Sequence, residues 1–127
     1  MAEFKQARPV FFDLVRIRFP VGAVASIGHR VSGVVLVLFT PALIYLFDAS
    51  LRSAQDYQRL GALLDHMLAK ALALVIFWAF AHHFLAGIRH LLMDVDVGSS
   101  LTAARRSAWV VNVTSVSLAL GAGWALL

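Results

Sequence analysis

The chain has 127 residues, of which 61% are hydrophobic and 14% charged, with a net charge of +4 and a mean hydropathy of +0.81. Soluble domains carry about 25% charged and about 45–50% apolar residues, so this composition excludes an ordinary water-soluble globule. With no cysteine, disulfides and thiolate metal sites are excluded too.

Residues 1–20 interleave Lys5, Arg8, Arg16 and Arg18 with Phe4, Phe11, Phe12, Leu14, Ile17 and Phe19. Basic and aromatic residues so mixed can bind nucleic acid. Next to a membrane span they read instead as an amphipathic segment lying on the lipid surface, and no nucleic acid is expected. No cleavable signal is expected, because the first apolar span starts late and behind this charged segment. Pro20 should sit just before the first span.

Three apolar stretches follow. The uncharged runs are Val31–Phe47, Ala71–Ile88 and Ser107–Leu127, and the first extends back through Val21–Gly28 if His29 and Arg30 lie at the interface. About 20 apolar residues span a bilayer core. The sequence therefore predicts an all-α integral membrane protein: a single domain over 1–127, with three transmembrane helices at roughly 22–48, 63–92 and 105–127 behind the amphipathic interfacial segment. A soluble four-helix bundle is the alternative, and Ser107–Leu127, apolar round its whole circumference, argues against it. Pro41 predicts a kink in the first span, where it removes one backbone bond. The connection from Asp48 to Gly61 is polar, with a short helix capped at Ser53 as one option. Lys70 and His66 read as interface residues at the start of the second span. In the third span, Asn112, Ser115, Ala119 and Gly123 form a small-residue stripe suited to close helix contact, and Trp109 and Trp124 belong to aromatic belts.

Basic residues concentrate in the N-terminal segment and the second loop (Arg105, Arg106), whereas the first loop has only Arg52 and Arg59. Positive residues stay inside, which places the N-terminus in the cytoplasm. The motifs Ser26–Arg30 and Arg89–His90 then share the cytoplasmic membrane face.

The richest stretch is His82–Asp94. On a helix His83, Gly87, His90 and Asp94 form one stripe, while His82 and Arg89 point elsewhere. Imidazoles at membrane depth are costly unless they face a partner, cavity or cofactor. A histidine with a glycine one turn away suits haem. His83 lies ~16 Å below the cytoplasmic edge and His90 ~10 Å nearer the surface, at 1.5 Å rise per residue. His29 is expected level with His90. A haem held at His83 would direct its propionates toward His29, Arg30 and His90. No other histidine of this chain is deep enough for the opposite axial position, so a second subunit should supply it. In the first span, Gly22, Ser26, His29, Arg30 and Gly33 read either as a polar pocket for carbonyl or carboxylate oxygens or as lipid-anchoring groups. His66, Lys70 and His82 read as interface or packing residues, and Asp94 chiefly as a solvated helix end.

The stretches Arg8-Pro9, Arg18-Phe19-Pro20, Ser26-Ile27-Gly28-His29-Arg30-Val31-Ser32-Gly33 and His83-Phe84-Leu85-Ala86-Gly87-Ile88-Arg89-His90-Leu91-Leu92-Met93-Asp94 resemble the cytochrome b556 membrane-anchor subunits of succinate dehydrogenase, respiratory complex II. The likeness covers nearly the whole chain. It implies a four-subunit succinate:quinone oxidoreductase of the respiratory chain and tricarboxylic acid cycle. In it a flavoprotein oxidises succinate, an iron–sulfur subunit relays electrons, and two small anchors bind haem b and reduce ubiquinone. By resemblance His83 is the haem axial ligand, and hence the iron-binding residue. Ser26 and Arg30 are quinone-site residues, and His29 and Arg30 lie by the haem propionates. The other haem histidine comes from the second anchor. No residue of this chain is expected to be catalytic alone. A fumarate reductase anchor and a non-haem structural membrane adaptor are the alternatives. A bacterial inner membrane is favoured over a mitochondrial one, since no transit-like N-terminus is seen.

Overall fold

The structure is a computed structural model that describes residues 18–126; the expected amphipathic segment, apart from Arg18, Phe19 and Pro20, lies outside the described residues. Four helices follow in order: α1 (Val21–Arg52), α2 (Ala54–Leu64), α3 (Met67–Asp94) and α4 (Leu101–Leu126). Among the described residues no strand is present. α1, α3 and α4 are long and apolar enough to cross a membrane, whereas α2 is a short helix between the first two.

The helix ends follow from local chemistry. Pro20 precedes α1, and its carbonyl accepts from the amides of Ala23 and Val24, which would otherwise lack partners. α1 extends beyond the expected 48 to Arg52, where the Arg52 guanidinium closes onto Asp48 one turn earlier. The chain then breaks at Ser53, whose backbone is extended and whose hydroxyl accepts from the Asp56 amide at 3.0 Å, capping α2. Residues 63 and 64 thus belong to α2, and α3 begins only at Met67. α3 stops where Asp96 enters the left-handed region at φ 61 and the Val97 amide donates back to the Leu92 carbonyl. Aspartate tolerates that conformation better than most residues. α4 starts at Leu101, before the expected 105, with the Ala104 amide bonded to the Ser100 carbonyl. α1 stays helical through Pro41.

α3 packs on both α1 and α4, and α1 also touches α4. The protein interior of this bundle is made mostly of small residues, with His82 and Arg89 the large exceptions. Ala25 and Ser32 are buried on α1; Ala79, Ala81, His82, Ala86 and Arg89 on α3; and Ala108, Val111, Ser115 and Gly123 on α4. A β-carbon on Gly123 would lie 3.5 Å from Leu74, so the expected small-residue stripe of α4 does bring helices close. The large apolar side chains face outward, with Val37 73% and Trp124 86% exposed. Large residues outside and small ones inside invert the pattern of a soluble bundle and suit lipid on the outer surface.

Candidate histidine site at the α1–α3 seam

The α3 histidines divide between two faces. Helical neighbours project about 100° apart, so the adjacent rings of His82 and His83 meet different partners. Ala79, His82, Ala86 and Arg89 follow at steps of three and four and form the buried face toward the bundle interior. His83 and His90 lie on the next face, half-buried, against α1.

His82 sits between three helices. Its Nε2 is 3.3 Å from the Ala25 carbonyl on α1, and its Nδ1 is 3.1 Å from the Ser115 hydroxyl on α4. A carbonyl only accepts, so Nε2 carries the proton and donates. The ring lies on Gly28, where a β-carbon would come within 2.5 Å of Nε2. Trp78, one turn earlier, packs at 5.4 Å between ring centroids. His82 is therefore an interior packing residue.

His83 carries its Nδ1 proton instead. Its Nδ1 lies 3.1 Å from the His29 carbonyl and 3.3 Å from the Ser32 hydroxyl. Among the described residues Nε2 of His83 has no hydrogen-bond partner, and in a neutral ring that nitrogen holds the lone pair. Gly33 lets the ring approach: a β-carbon there would stand 3.0 Å from its Cε1. His29 stacks on His83 at 4.2 Å between centroids and 15° between planes, while His90 is 5.2 Å from His29 and tilted. His29 thus sits level with His83 as much as with His90, deeper than expected. The reason is that its carbonyl is the acceptor that draws His83 onto α1. The His29 ring also passes over Gly87, whose added β-carbon would be 3.7 Å from Nε2.

Ser26 is half-buried and Arg30 is exposed one turn further along α1. Neither makes a side-chain hydrogen bond or ion pair among the described residues. Arg30 is not drawn into the histidine cluster. Residues three or four apart lie about 5–6 Å apart at Cβ, so Ser26 and Arg30 can address one ligand at the end of α1. Arg89 is engaged elsewhere: its Nε donates to Ser107 Oγ at 3.0 Å and its Nη2 to the Ala104 carbonyl at 3.2 Å, clipping α3 to α4. Asp94 is exposed at the end of α3.

Lower on the same seam, an apolar groove of about 920 Å³ opens between α1, α2 and α3. Its nearest walls, Leu36 and Phe80, lie three residues from Gly33 and His83. Sequence reasoning missed three features: the roles of Ser32, Ser115 and the Arg89 clip. Gly28 and Gly33 were the available signals, since a glycine inside a helix costs about 1 kcal/mol unless something needs the space.

An imidazole with its Nδ1 proton held and its Nε2 free, beside glycines and an apolar groove, is a donor set suited to a flat metal macrocycle.

Comparison with known proteins gives the family. The family model for the succinate dehydrogenase/fumarate reductase transmembrane subunit matches residues 5–122. A protein of Coxiella burnetii named succinate dehydrogenase cytochrome b556 subunit is 40% identical over 119 residues, covering 92% of this chain and 95% of that protein. One of the same name from Paracoccus denitrificans is 30% identical over 117 residues, covering 89% and 87%. Another from Rickettsia typhi is 27% identical over 118 residues, covering 93% and 92%. The chain belongs to the succinate dehydrogenase/fumarate reductase transmembrane subunit family.

Proposed function

We propose that this transmembrane subunit binds haem b and ubiquinone as one of two small anchors of a succinate:quinone oxidoreductase. In this reading it lets electrons pass from an iron–sulfur subunit to quinone in the membrane. The observation that carries the proposal is the His83 ring, pinned by Nδ1 to α1 with Nε2 left free. His83 Nε2 would ligate the haem iron. His29 and His90, at the same end of the seam, would meet the propionates together with Arg30. When bound, haem would supply a one-electron carrier.

Ser26 and Arg30 serve quinone. Reduction places negative charge on a carbonyl oxygen, which a hydroxyl and a guanidinium at the end of α1 stabilise by hydrogen bonding. This end lies beside the second loop and the first turns of α4, where Arg105 and Arg106 favour a cytoplasmic orientation. There protons reach the site from water and electrons from a soluble iron–sulfur partner, itself bound to a flavoprotein. The first loop's arginines, by contrast, are paired with Asp48 and Asp56. The membrane would be the bacterial inner membrane, and the chain one domain within the complex. The apolar outer faces of the helices leave room for a second anchor supplying the other haem histidine. The family also includes fumarate reductase anchors.

The test is substitution in the assembled complex. His83→Ala should abolish or strongly weaken the reduced b-type absorption band. A normal spectrum with normal haem content would refute the ligand. Ser26→Ala and Arg30→Leu should depress quinone reduction while succinate oxidation with an artificial acceptor survives. Equal loss of both activities would count against a quinone role.

A further inference from the structure

Ser32 is fully enclosed on α1, two residues beyond Arg30 and six beyond Ser26, on a different face from both. Its hydroxyl donates to the His29 carbonyl at 2.9 Å. A helical serine in an apolar segment often bonds back to its own helix in this way and does nothing else. Here a second observation sets it apart. The same oxygen stands 3.3 Å from Nδ1 of His83, 51 positions away in the chain, and the His29 carbonyl is 3.1 Å from that nitrogen. With its proton directed to the carbonyl, the Ser32 oxygen offers its lone pairs to the imidazole. The Nδ1 proton therefore faces two acceptors, both from one turn of α1.

We propose that Ser32 is a positioning residue for the haem ligand: with the His29 carbonyl it holds the Nδ1 proton of His83, fixing the ring so that Nε2 faces the iron, and lowers the haem potential. The proposal rests on the reading of His83 as that ligand. An acceptor on Nδ1–H draws the proton outward and makes the ring a stronger electron donor. A stronger donor favours ferric over ferrous iron. Because Ser32 is wholly enclosed, replacing it by alanine frees only the space of one hydroxyl oxygen, less than a water molecule's share of liquid volume. The lost acceptor is then not replaced.

The experiment is a redox titration of the haem band in the assembled complex, with haem content measured in parallel. The variants are Ser32→Ala, Ser32→Cys, Ser115→Ala and His83→Ala. Outer-shell partners of metal ligands typically contribute about 10–100-fold to metal affinity or activity; applied to the ferric state alone, the lower end is expected because the His29 carbonyl remains. Ser32→Ala should retain haem and lose about tenfold in ferric-over-ferrous preference, which is an upward shift of about 59 mV for one electron. Ser32→Cys should shift the same way by less, since sulfur is a weak acceptor, and it carries the test if the alanine variant does not assemble. Ser115→Ala removes a partner of His82 rather than of His83, and with the His82 ring still held by the Ala25 carbonyl and seated on Gly28 it should leave the potential in place. An unchanged or lowered potential in Ser32→Ala overturns the proposal. So does an equal shift in Ser115→Ala, which would mean general loosening of the bundle. If His83→Ala removes haem while Ser32→Ala titrates like the parent, only the role of Ser32 fails. Haem that survives in His83→Ala removes the ligand reading and this proposal with it.

Discussion

Gly28→Ala tests whether His82 is the interior wedge of the bundle. The new β-carbon would stand 2.5 Å from His82 Nε2 and 2.9 Å from its Cε1, well inside van der Waals contact. The ring cannot swing aside freely, because one nitrogen is bonded to the Ala25 carbonyl and the other lies against Ser115. Overpacking of this kind costs about 1–3 kcal/mol. Losing an interhelical bond within a membrane adds about 0.6 kcal/mol on average and up to about 1.7. Alanine's better helix propensity returns about 1 kcal/mol. The balance is a destabilisation of about 2 kcal/mol, or roughly thirtyfold in the folding equilibrium at 1.4 kcal/mol per decade. The assay is unfolding of the detergent-purified complex in rising SDS, for Gly28→Ala, His82→Ala and the double variant. Removing the ring creates the room that the methyl needs, so the double variant should be no less stable than His82→Ala alone. Strict additivity of the two substitutions, or a Gly28→Ala protein as stable as the parent, would refute the wedge.

Arg89→Leu should weaken the loop end of the α3–α4 pair by about 1–3 kcal/mol, since it removes the bonds to Ser107 and the Ala104 carbonyl. Faster protease cleavage between residues 95 and 100 in membrane vesicles is the readout, and Arg89→Lys should rescue it only in part, because one ammonium does not reproduce the guanidinium fork. At Gly123 an added β-carbon meets Leu74 at an ordinary 3.5 Å, so Gly123→Ala should leave SDS resistance nearly unchanged. Gly123→Leu, in contrast, should lower it by about 1–3 kcal/mol as α4 is pushed off α3.

The helices were legible from the apolar runs because a membrane span needs length and low charge more than a face. α2 was legible through Ser53, whose cap is local chemistry. Azimuth was much harder to read. In water an apolar stripe marks the inside of a helix; beside lipid the outer surface is as apolar as the core, so hydropathy does not distinguish them. The available signal was residue size. Ala79, Ala86, Ala108 and Gly123 mark the contact faces, and Phe80, Phe84 and Trp109 the outer ones. Spacing correctly grouped His83 with Gly87 and His90 and separated His82 from them. The level of His29 was not legible, because it depends on a backbone carbonyl catching a ring from 54 positions away. No residue pattern records that contact.

His82 and His83 show how one helix can place the same side chain in two chemical roles. Their rings differ less in depth than in direction, by about one residue's rotation. His82 points between α1 and α4, where a carbonyl takes its Nε2 proton and a hydroxyl meets its Nδ1. With both nitrogens engaged, it has nothing left for a metal. His83 points to the α1 edge, where a carbonyl and a hydroxyl both address Nδ1 and leave Nε2 free. The backbone acceptor on α1 therefore selects opposite tautomers in consecutive residues: Ala25 claims Nε2 of one and His29 claims Nδ1 of the other. Moving the ligand role from residue 83 to 82 would require α3 to turn through that angle, which would lift the His82 ring off Gly28. Packing at the first histidine thereby aims the second, so loss of the Gly28–His82 contact should disturb haem retention as well as stability.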